Sequence, residues 1–411
     1  MKIAIFHLAF IYSGGGERLV LEEAKGLKKL GHEVNIYTCL LNKKRCYPDL
    51  INRYTIKTFL PQISLIVPKH ESFMVILTCI LAPLLSIRFR KYEVILAANQ
   101  PSPWLAWWVK LFYGIPYVSY LAQPTRFLYP RKIDNETGLV FSKKAADSIT
   151  TKAMNKFKRL IELADKLSIR GSETILANGE YIKSMLDKTY KIDTLLCPAG
   201  AYPVKKLKVQ GSKLKEVLYI GSKKVVKPYL LITNRHFAQK RFEYGIFALS
   251  SVLQKYPEYN LIITGKETDY TNEIEVLIKR LNLTNKVIFL NHVSESSLTK
   301  LYESCSVYLY TAPEEDFGMG IIEAMAQGAP VVAWNNAGPA RIIDNGKTGL
   351  LARPFEVNNF ADKTLSIVSD RSFAGRLGKN AYLQVKKKFS YDAHIRLLEK
   401  ELTSQNKGYT K

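Results

Sequence analysis

The sequence predicts an α/β protein with two domains, each built on a doubly wound parallel sheet. At 411 residues the chain is about twice as long as a single ordinary core requires. Short apolar runs alternate with stretches of helical periodicity in both halves, which is typical of parallel sheets. A Lys-rich stretch from Val204 to Lys227 separates the halves and is predicted to hold the linker. We therefore expect domains at 1–205 and 206–388, followed by a final segment at 389–411.

In the first half, five apolar runs bounded by turn residues predict strands at Ile3–Phe6, Val34–Thr38, Val94–Ala98, Pro116–Tyr120 and Thr174–Ala177. Gly14, Gly15 and Gly16 follow the first strand and precede an amphipathic helix. Such sheets commonly bind phosphate at this turn. The spacing is not G-x-G-x-x-G, so a plain tight turn remains open.

In the second half, the predicted strands are Tyr229–Thr233, Leu261–Gly265, Val287–Leu290 and Val307–Tyr310, with a further one beginning at Val331. Helical periodicity fills the intervals between them. The final amphipathic pattern, Ser390–Leu402, predicts a C-terminal helix.

One segment, TAPEEDFGMGIIEAMAQGAP at Thr311–Pro330, combines a strand end, acidic residues and a glycine-rich helix start. Backbone amides at Phe317, Gly318, Met319 and Gly320, together with the helix dipole, suit a phosphate group. Glu323 lies about one turn into the helix, where its carboxylate could accept hydrogen bonds from a ribose diol, and Glu315 remains in the loop. Spacing alone leaves an ordinary βαβ turn with solvated acids equally open.

This segment resembles the E-x7-E signature of retaining glycosyltransferase family 4, with Glu315 and Glu323 in the acidic positions and matching FG, EAMA-x-G and PVVA strings around them. The resemblance implies that Glu315 contacts the donor sugar and that Glu323 contacts the nucleotide ribose. It also implies that the amides between them hold the diphosphate.

Further strings carry the same resemblance. GGGERLV resembles the family's first motif, in which Gly14, Gly15 and Gly16 would face the donor diphosphate. Arg235 and Lys240 match the two cations of the GR-x4-KG motif, where they would stabilise the leaving diphosphate, although charge alone also allows a solvated basic loop. Leu121–Tyr129 is similar to a YCHxPxRxLY segment of some mannosyltransferases, with Ala122 in the histidine position.

The resemblance implies the GT-B fold, in which two Rossmann-like domains face a cleft and the final helix returns to the first domain. It implies transfer of a hexose with retention, with Arg235, Lys240 and Glu315 as the catalytic residues. Mannose from GDP-mannose is the leading donor, while UDP-glucose, UDP-galactose and UDP-N-acetylglucosamine remain open. No D-x-D triplet occurs, so we expect neither a cofactor nor a metal. A GT-B-like epimerase or phosphorylase is a second alternative.

The charge balance points to a polyanionic partner, because 60 basic and 36 acidic residues leave a net charge of +24. No nucleic-acid recognition module is evident, so nucleic-acid binding is a remote alternative. The apolar run Phe73–Ile87 is too short to span a bilayer but could insert at its interface. We expect a lipid-linked or polysaccharide acceptor and peripheral binding to the anionic, cytosolic membrane face. The five cysteines show no paired spacing and predict reduced core thiols in the cytoplasm.

Overall fold

The computed structural model describes residues 1–62, 70–137, 154–207, 217–291 and 293–405, which divide into two compact units. The first unit comprises Met1–Gly200 and Tyr391–Lys411, and the second comprises Ala201–Ser390. The first change of unit therefore falls after Gly200, before the Lys-rich stretch in which the linker was predicted. The C-terminal helix belongs to the first unit.

The first unit contains a seven-stranded parallel sheet in the order β3-β2-β1-β4-β5-β6-β7. Its strands are β1 (Lys2–Phe10), β2 (Glu33–Leu41), β3 (Ile56–Thr58), β4 (Val94–Ala98), β5 (Tyr117–Leu121), β6 (Thr174–Ala177) and β7 (Leu195–Leu196). Its helices are Gly15–Lys29, Pro48–Ile51, His70–Ile80, Ala82–Leu85, Ser102–Tyr113, Lys132–Thr137, Lys158–Arg170, Glu180–Tyr190 and Tyr391–Ser404, with a 3₁₀ turn at Ser86–Phe89.

The second unit contains a six-stranded parallel sheet and a separate two-stranded antiparallel pair. The pair is β8 (Val217–Ile220) and β9 (Lys223–Val226). The sheet has the order β12-β11-β10-β13-β14-β15, formed by β10 (Tyr229–Thr233), β11 (Asn260–Thr264), β12 (Val287–Phe289), β13 (Val307–Tyr310), β14 (Val331–Trp334) and β15 (Leu350–Ala352). Its helices are Glu243–Leu253, Tyr270–Arg280, Glu295–Ser304, Met319–Ala326, Pro339–Ile342, Val357–Ser369 and Arg371–Lys388, with a 3₁₀ turn at Ala238–Lys240.

Both sheets are buried on both faces, which explains why their strands are continuous apolar runs. In the second unit, the buried Trp334 ring packs between Tyr244 and Phe360, at centroid distances of 4.7 and 4.6 Å. In the first unit, Phe6 packs edge-on against Phe59 and Phe89, at 5.1 and 4.6 Å. Such aromatic contacts bury large apolar areas and fix the helical layers on each sheet.

The second half of the Lys-rich stretch Val204–Lys227, in which the linker was predicted, contains regular structure, because β8 and β9 form a hairpin there. A two-residue turn at Gly221 and Ser222 joins them, and Gly221 has a φ of +59°. A Gly-Ser pair between two apolar-rich runs is a recognised hairpin signal. The abundance of lysine in this stretch concealed that signal.

The C-terminal helix is fixed within the first unit by a buried polar cluster. His394 donates from Nδ1 to the carbonyl oxygen of Pro198 at 2.9 Å, and its Nε2 lies 3.2 Å from Glu23 Oε1. Burial lowers the pKa of His394, but the neighbouring Cys197 and Glu23 outweigh burial and raise that pKa to about 10. Burial raises the pKa of the Glu23 carboxyl, and the hydrogen bond and charge of His394 oppose that rise, so the two groups titrate as one buried pair.

Among the described residues, no single helix has both the length and the apolar character needed to cross a bilayer. Two segments, Glu71–Ile80 and Ala82–Phe89, would satisfy both criteria only jointly, and they are bent by 71°. Pro83 lies at the start of the second segment, where its missing amide hydrogen favours such a break.

Candidate active site

In a parallel sheet, ligands bind beyond the carboxyl ends of the strands, where the strand order reverses. In the second unit this switch point lies between β10 and β13, which are hydrogen-bonded neighbours. The loop after β10 carries Arg235 and Lys240, and the loop after β13 carries Glu315. The hydroxyl of Thr311 joins the loops by donating to the carbonyl oxygen of Lys240 at 2.7 Å. The topology thus gathers the three residues predicted to be catalytic at one sheet edge.

Lys240 and Glu315 form an ion pair, with Lys240 Nζ 2.5 Å from Glu315 Oε2. Their side chains are 23% and 20% exposed, so both charges remain accessible from solvent while being partly desolvated. Burial raises the pKa of the Tyr310 phenol well above its ordinary value, with contributions from the charge of Glu315 and a hydrogen bond to it. The sequence predicts separate roles for Lys240 and Glu315, whereas in the structure each of these side chains orients the other.

Arg235 is held by aromatic contact in the same loop, with its guanidinium carbon 5.2 Å from the centre of the Phe237 ring. His236, between them in sequence, points into the core and contacts Thr271 Oγ1 at 3.0 Å. Burial lowers the pKa of His236 to about 4, so this side chain is neutral at pH 7. His236 therefore anchors the loop from which Arg235 projects.

The helix Met319–Ala326 begins after Gly318, whose φ of +108° favours glycine. The first helical amides have no acceptor within their own helix and are available to an anion. A second loop supports this turn, since the Gly338 amide donates to the Glu315 carbonyl oxygen at 2.9 Å. Phe317 is buried, with its ring 6.2 Å from that of Phe389, so only its backbone could contact a donor.

Glu323 lies on the first turns of this helix and is partly exposed. It accepts a hydrogen bond from the Tyr302 hydroxyl at 3.2 Å. Tyr302 contacts Thr233 Oγ1 at 2.8 Å, and Thr233 contacts the Tyr308 hydroxyl at the same distance. Neither Tyr302 nor Thr233 could be identified from the sequence, because no local pattern connects these residues to Glu323.

Gly14, Gly15 and Gly16 lie in the first unit, at the carboxyl end of β1. Gly14 caps the helix Gly15–Lys29. The Tyr47 hydroxyl donates to the Gly14 carbonyl oxygen at 3.0 Å and holds the turn in place. This turn occupies the switch point of its own sheet, between β1 and β4.

The residue after β4, Asn99, has a positive φ of +61°, a conformation often found at functional sites. Its Oδ1 accepts a hydrogen bond from the amide of Ala122 at 2.8 Å. Ala122, which stands where the resemblance predicts a histidine, is thus hydrogen-bonded to the side chain of Asn99 at the same sheet edge. A left-handed asparagine cannot be recognised from its residue type alone.

Among the described residues, no three His, Cys, Asp or Glu side chains come together as metal ligands. Four of the five cysteines, Cys39, Cys46, Cys197 and Cys305, are buried free thiols, as predicted, and Cys79 is half-buried.

Residues 13–196 match Glycosyltransferase Family 4, and residues 220–384 match Glycosyl transferases group 1. The chain is a glycosyltransferase of the family 4 type. The two matched regions correspond to the two units, and the resemblance noted from the E-x7-E segment is confirmed.

Full-length relatives extend this finding. The chain is 26% identical over 435 residues to alpha-1,3/1,6-mannosyltransferase ALG2 of Dictyostelium discoideum, covering 95% of each chain. It is also 26% identical to the Saccharomyces cerevisiae protein of that name, covering 96% of this chain and 84% of the yeast protein. These relatives support the hexosyltransferase assignment.

Among solved structures, Alr3699/HepE of Anabaena in complex with UDP-glucose superposes with a TM-score of 0.73 at 19% identity. The alignment covers 98% of this chain and 100% of the Anabaena chain. At this identity the similarity shows the fold alone, and it confirms the predicted GT-B class of two Rossmann-like domains.

Proposed function

We propose that this glycosyltransferase moves mannose from GDP-mannose to a hydroxyl of a lipid-linked or polysaccharide acceptor, with retention of anomeric configuration. The observation that carries the proposal is the convergence of Arg235, Lys240, Glu315 and Glu323 on one sheet edge beside a helix N-terminus. The similarity to proteins named alpha-1,3/1,6-mannosyltransferase, over nearly the whole chain, favours mannose.

In this mechanism, the bond between the sugar C1 and the phosphate oxygen breaks while C1 bonds to the acceptor oxygen. The acceptor proton passes to the departing phosphate on the same face of the sugar. Arg235 and Lys240 stabilise the negative charge that accumulates on the diphosphate. Amides of the turn Gly318–Gly320 contribute further donors. Glu315 positions the sugar and orients Lys240, while Glu323 binds the ribose.

A UDP-sugar is the alternative donor; the Anabaena structure contains UDP-glucose, although at 19% identity its similarity shows only that this fold is compatible with such a donor. A thermal-shift panel with GDP-mannose, UDP-glucose, UDP-galactose and UDP-N-acetylglucosamine distinguishes the donors. A ligand at 100 times its Kd adds about 2.7 kcal/mol to the free energy of unfolding. We expect GDP-mannose to stabilise most, and to the same extent with EDTA as without it. If a UDP-sugar stabilises the protein and GDP-mannose does not, that UDP-sugar is the donor and the proposal of GDP-mannose is wrong.

Two variants test whether Glu323 and Glu315 have the separate roles proposed for them. Glu323→Ala should weaken GDP binding, because one or two charge-assisted bonds of about 1.5–3 kcal/mol each are lost. Glu315→Ala should retain GDP affinity while losing transfer. Titration calorimetry with GDP measures both affinities, and NMR of the product reports the anomeric configuration. Unchanged GDP affinity in Glu323→Ala would contradict the ribose role, and an inverted product would contradict retention.

We further propose that the first unit binds the anionic, cytosolic face of a membrane, which would bring the enzyme to a lipid-linked acceptor. The apolar run Phe73–Ile87 supports this: Phe73 is 51% exposed and Leu84 is 74% exposed, whereas Met74 is buried. A second apolar stripe on the helix Lys158–Arg170, including Leu160 and Leu163, is also exposed. Exposed large apolar side chains that occur in groups are typical of interaction surfaces.

The sequence also contains basic clusters at 43–45, 88–91, 131–132, 143–144 and 156–159, which are predicted to face the lipid, and the structure gives them different surroundings. Exposed cations are found at 43–45, at 90–91 and at 156–159, the last directly beside the second apolar stripe. In contrast, Arg131 is paired with Asp134 at 2.8 Å, and Arg88 donates to the carbonyl oxygen of Phe59. The predicted cluster at Lys143 and Lys144 lies outside the described residues. Each cation close to an anionic leaflet contributes about 1 kcal/mol.

Flotation with liposomes tests this proposal. Binding should require anionic lipid, decrease with added salt, and decrease in Phe73→Asp and Leu84→Asp. Val276→Asp is the matched control, because Val276 is an equally exposed apolar residue of the second unit. If anionic liposomes fail to bind the protein at low salt, the membrane proposal is wrong. Retention on RNA under the same conditions would instead assign the basic charge to nucleic acid.

A further inference from the structure

A row of hydrogen-bonded hydroxyl groups leads from the interior of the second unit to Glu323. It is formed by Tyr308 on β13, Thr233 at the carboxyl end of β10 and Tyr302 on the helix Glu295–Ser304. The successive oxygen–oxygen distances are 2.8 Å, 2.8 Å and, from Tyr302 to Glu323 Oε2, 3.2 Å. Tyr302 and Tyr308 are buried, whereas Glu323 is partly exposed. The row therefore ends at a partly exposed carboxylate.

The hydrogen-bond directions along this row follow from the carboxylate at its end. A carboxylate only accepts, so Tyr302 uses its single proton to donate to Glu323. Thr233 can then donate to Tyr302, and Tyr308 can donate to Thr233. All three bonds point toward Glu323, and aligned hydroxyl groups of this kind polarise one another.

This arrangement restricts the orientation of Glu323. Glutamate has three side-chain torsions and loses considerable rotamer freedom when it is fixed. A hydrogen bond from a buried tyrosine, which cannot itself move far, selects orientations in which Oε2 faces Tyr302. The Glu323 carboxylate is then held in a defined position on the partly exposed face of its helix.

We propose that Tyr302 is a positioning residue that orients the Glu323 carboxylate for the nucleotide ribose, so that Tyr302 controls discrimination between ribonucleotides and 2′-deoxyribonucleotides. The inference rests on the proposed role of Glu323 in binding ribose. Tyr302 itself contacts no substrate in this scheme. Its effect reaches the ligand only through the carboxylate.

The test measures the affinities of the full-length protein for GDP and 2′-deoxy-GDP by titration calorimetry. The parent should bind GDP about tenfold or more tightly than 2′-deoxy-GDP, as one charge-assisted bond would provide. In Tyr302→Phe, the ratio should fall to threefold or less, mainly through weaker GDP binding. With GDP-mannose as donor, KM should rise while kcat changes by less than about twofold.

A matched control separates positioning from general loss of structure. Tyr229 is also buried, and its hydroxyl donates to the carbonyl oxygen of Leu301, on the same helix as Tyr302, at 2.9 Å. Tyr229→Phe removes a comparable hydrogen bond to that helix without removing a partner of Glu323. It should lower the melting temperature about as much as Tyr302→Phe does but leave the nucleotide ratio at the parent value.

A second variant applies if Tyr302→Phe does not fold. Thr233→Val keeps the shape of the side chain and removes only the hydroxyl that supports Tyr302, so it should reduce the ratio by a smaller factor. A parent-like ratio in every variant of this row that folds would overturn the inference. If Glu323→Ala still abolished the preference for GDP, the proposed ribose site would nevertheless stand. If the parent shows no preference between the two nucleotides, the ribose role of Glu323 fails, and the inference fails with it.

Discussion

Two glycines of the second unit lie in helices but have different surroundings, and replacing each by alanine gives a matched pair of experiments. A Cβ atom at Gly320 would lie 2.3 Å from the Tyr308 hydroxyl oxygen. A Cβ atom at Gly375, in the helix Arg371–Lys388, would meet nothing within 4 Å. Both changes reduce the conformational entropy of the unfolded chain, but only Gly320→Ala creates an overlap.

The opposing contributions can be compared in magnitude. In an exposed helix interior, alanine is more stable than glycine by about 0.5–1 kcal/mol. Overpacking a buried contact costs about 1–3 kcal/mol, and Tyr308 is fully buried and hydrogen-bonded, so its ring cannot easily yield. Gly375→Ala should therefore raise the free energy of unfolding by about 0.5–1 kcal/mol. Gly320→Ala should lower it by up to about 2.5 kcal/mol after the helical gain is subtracted.

Differential scanning fluorimetry gives the readout, since about 1 kcal/mol shifts the melting temperature of a domain of this size by about 2–4 °C. Tyr308→Phe should rescue Gly320→Ala, because removing the hydroxyl leaves the nearest ring carbon 3.3 Å from the new methyl group. In the parent, the same Tyr308→Phe change should instead be destabilising by about 1 kcal/mol through its lost hydrogen bond. If Tyr308→Phe lowers the melting temperature equally in both backgrounds, the proposed overlap does not exist.

Two further predictions concern ion pairs. Lys240→Ala should slow single-turnover transfer at saturating donor, with a rise in the activation free energy of about 2.7–4 kcal/mol. Because Lys240 pairs with Glu315 at 2.5 Å, the rise in the double variant with Glu315→Ala should be smaller than the sum of the rises in the two single variants. Strictly additive values would contradict the coupling of these two side chains. His394→Gln should lower the free energy of unfolding at pH 7 by about 3–5 kcal/mol, because Glu23 loses its buried partner. The folded-state pKa of His394, about 10, lies above its ordinary value of 6.5, so the stabilising contribution of protonated His394 is complete below pH 6.5 and is lost as the pH rises toward 10. If the melting temperature of the parent falls no more than that of His394→Gln over this range, the raised pKa of His394 is contradicted.

The sequence alone was sufficient for the features that depend on neighbouring residues. β4, β6 and β10 have the predicted bounds, because strands buried on both faces are continuous apolar runs between turn residues. The start of the helix Met319–Ala326 follows from a glycine-rich turn before helical periodicity. The order of such elements along the chain also predicted two parallel sheets, and hence the edges at which Arg235 and Glu315 lie.

Several features required the tertiary structure because they join residues far apart in sequence. Lys240 and Glu315 are 75 positions apart, and their pairing depends on β10 and β13 being neighbours. Met74 is buried whereas Phe73 is exposed, although both belong to one apolar run, because only one face of their helix meets the sheet. Hydrophobic content does not specify which residues of an apolar helix face the core.

The polar clusters show the same limit most clearly. Glu23 and His394 are separated by 371 positions, and Tyr302 lies 21 positions before Glu323 on a different helix. The sequence around a single glutamate, histidine or tyrosine does not show which distant residue will be its partner. Folding selects these pairs because a buried polar group without a partner costs free energy, and the partner is determined by how helices pack on the sheet. The sequence therefore determined which groups could do chemistry, and the tertiary packing determined how those groups are oriented.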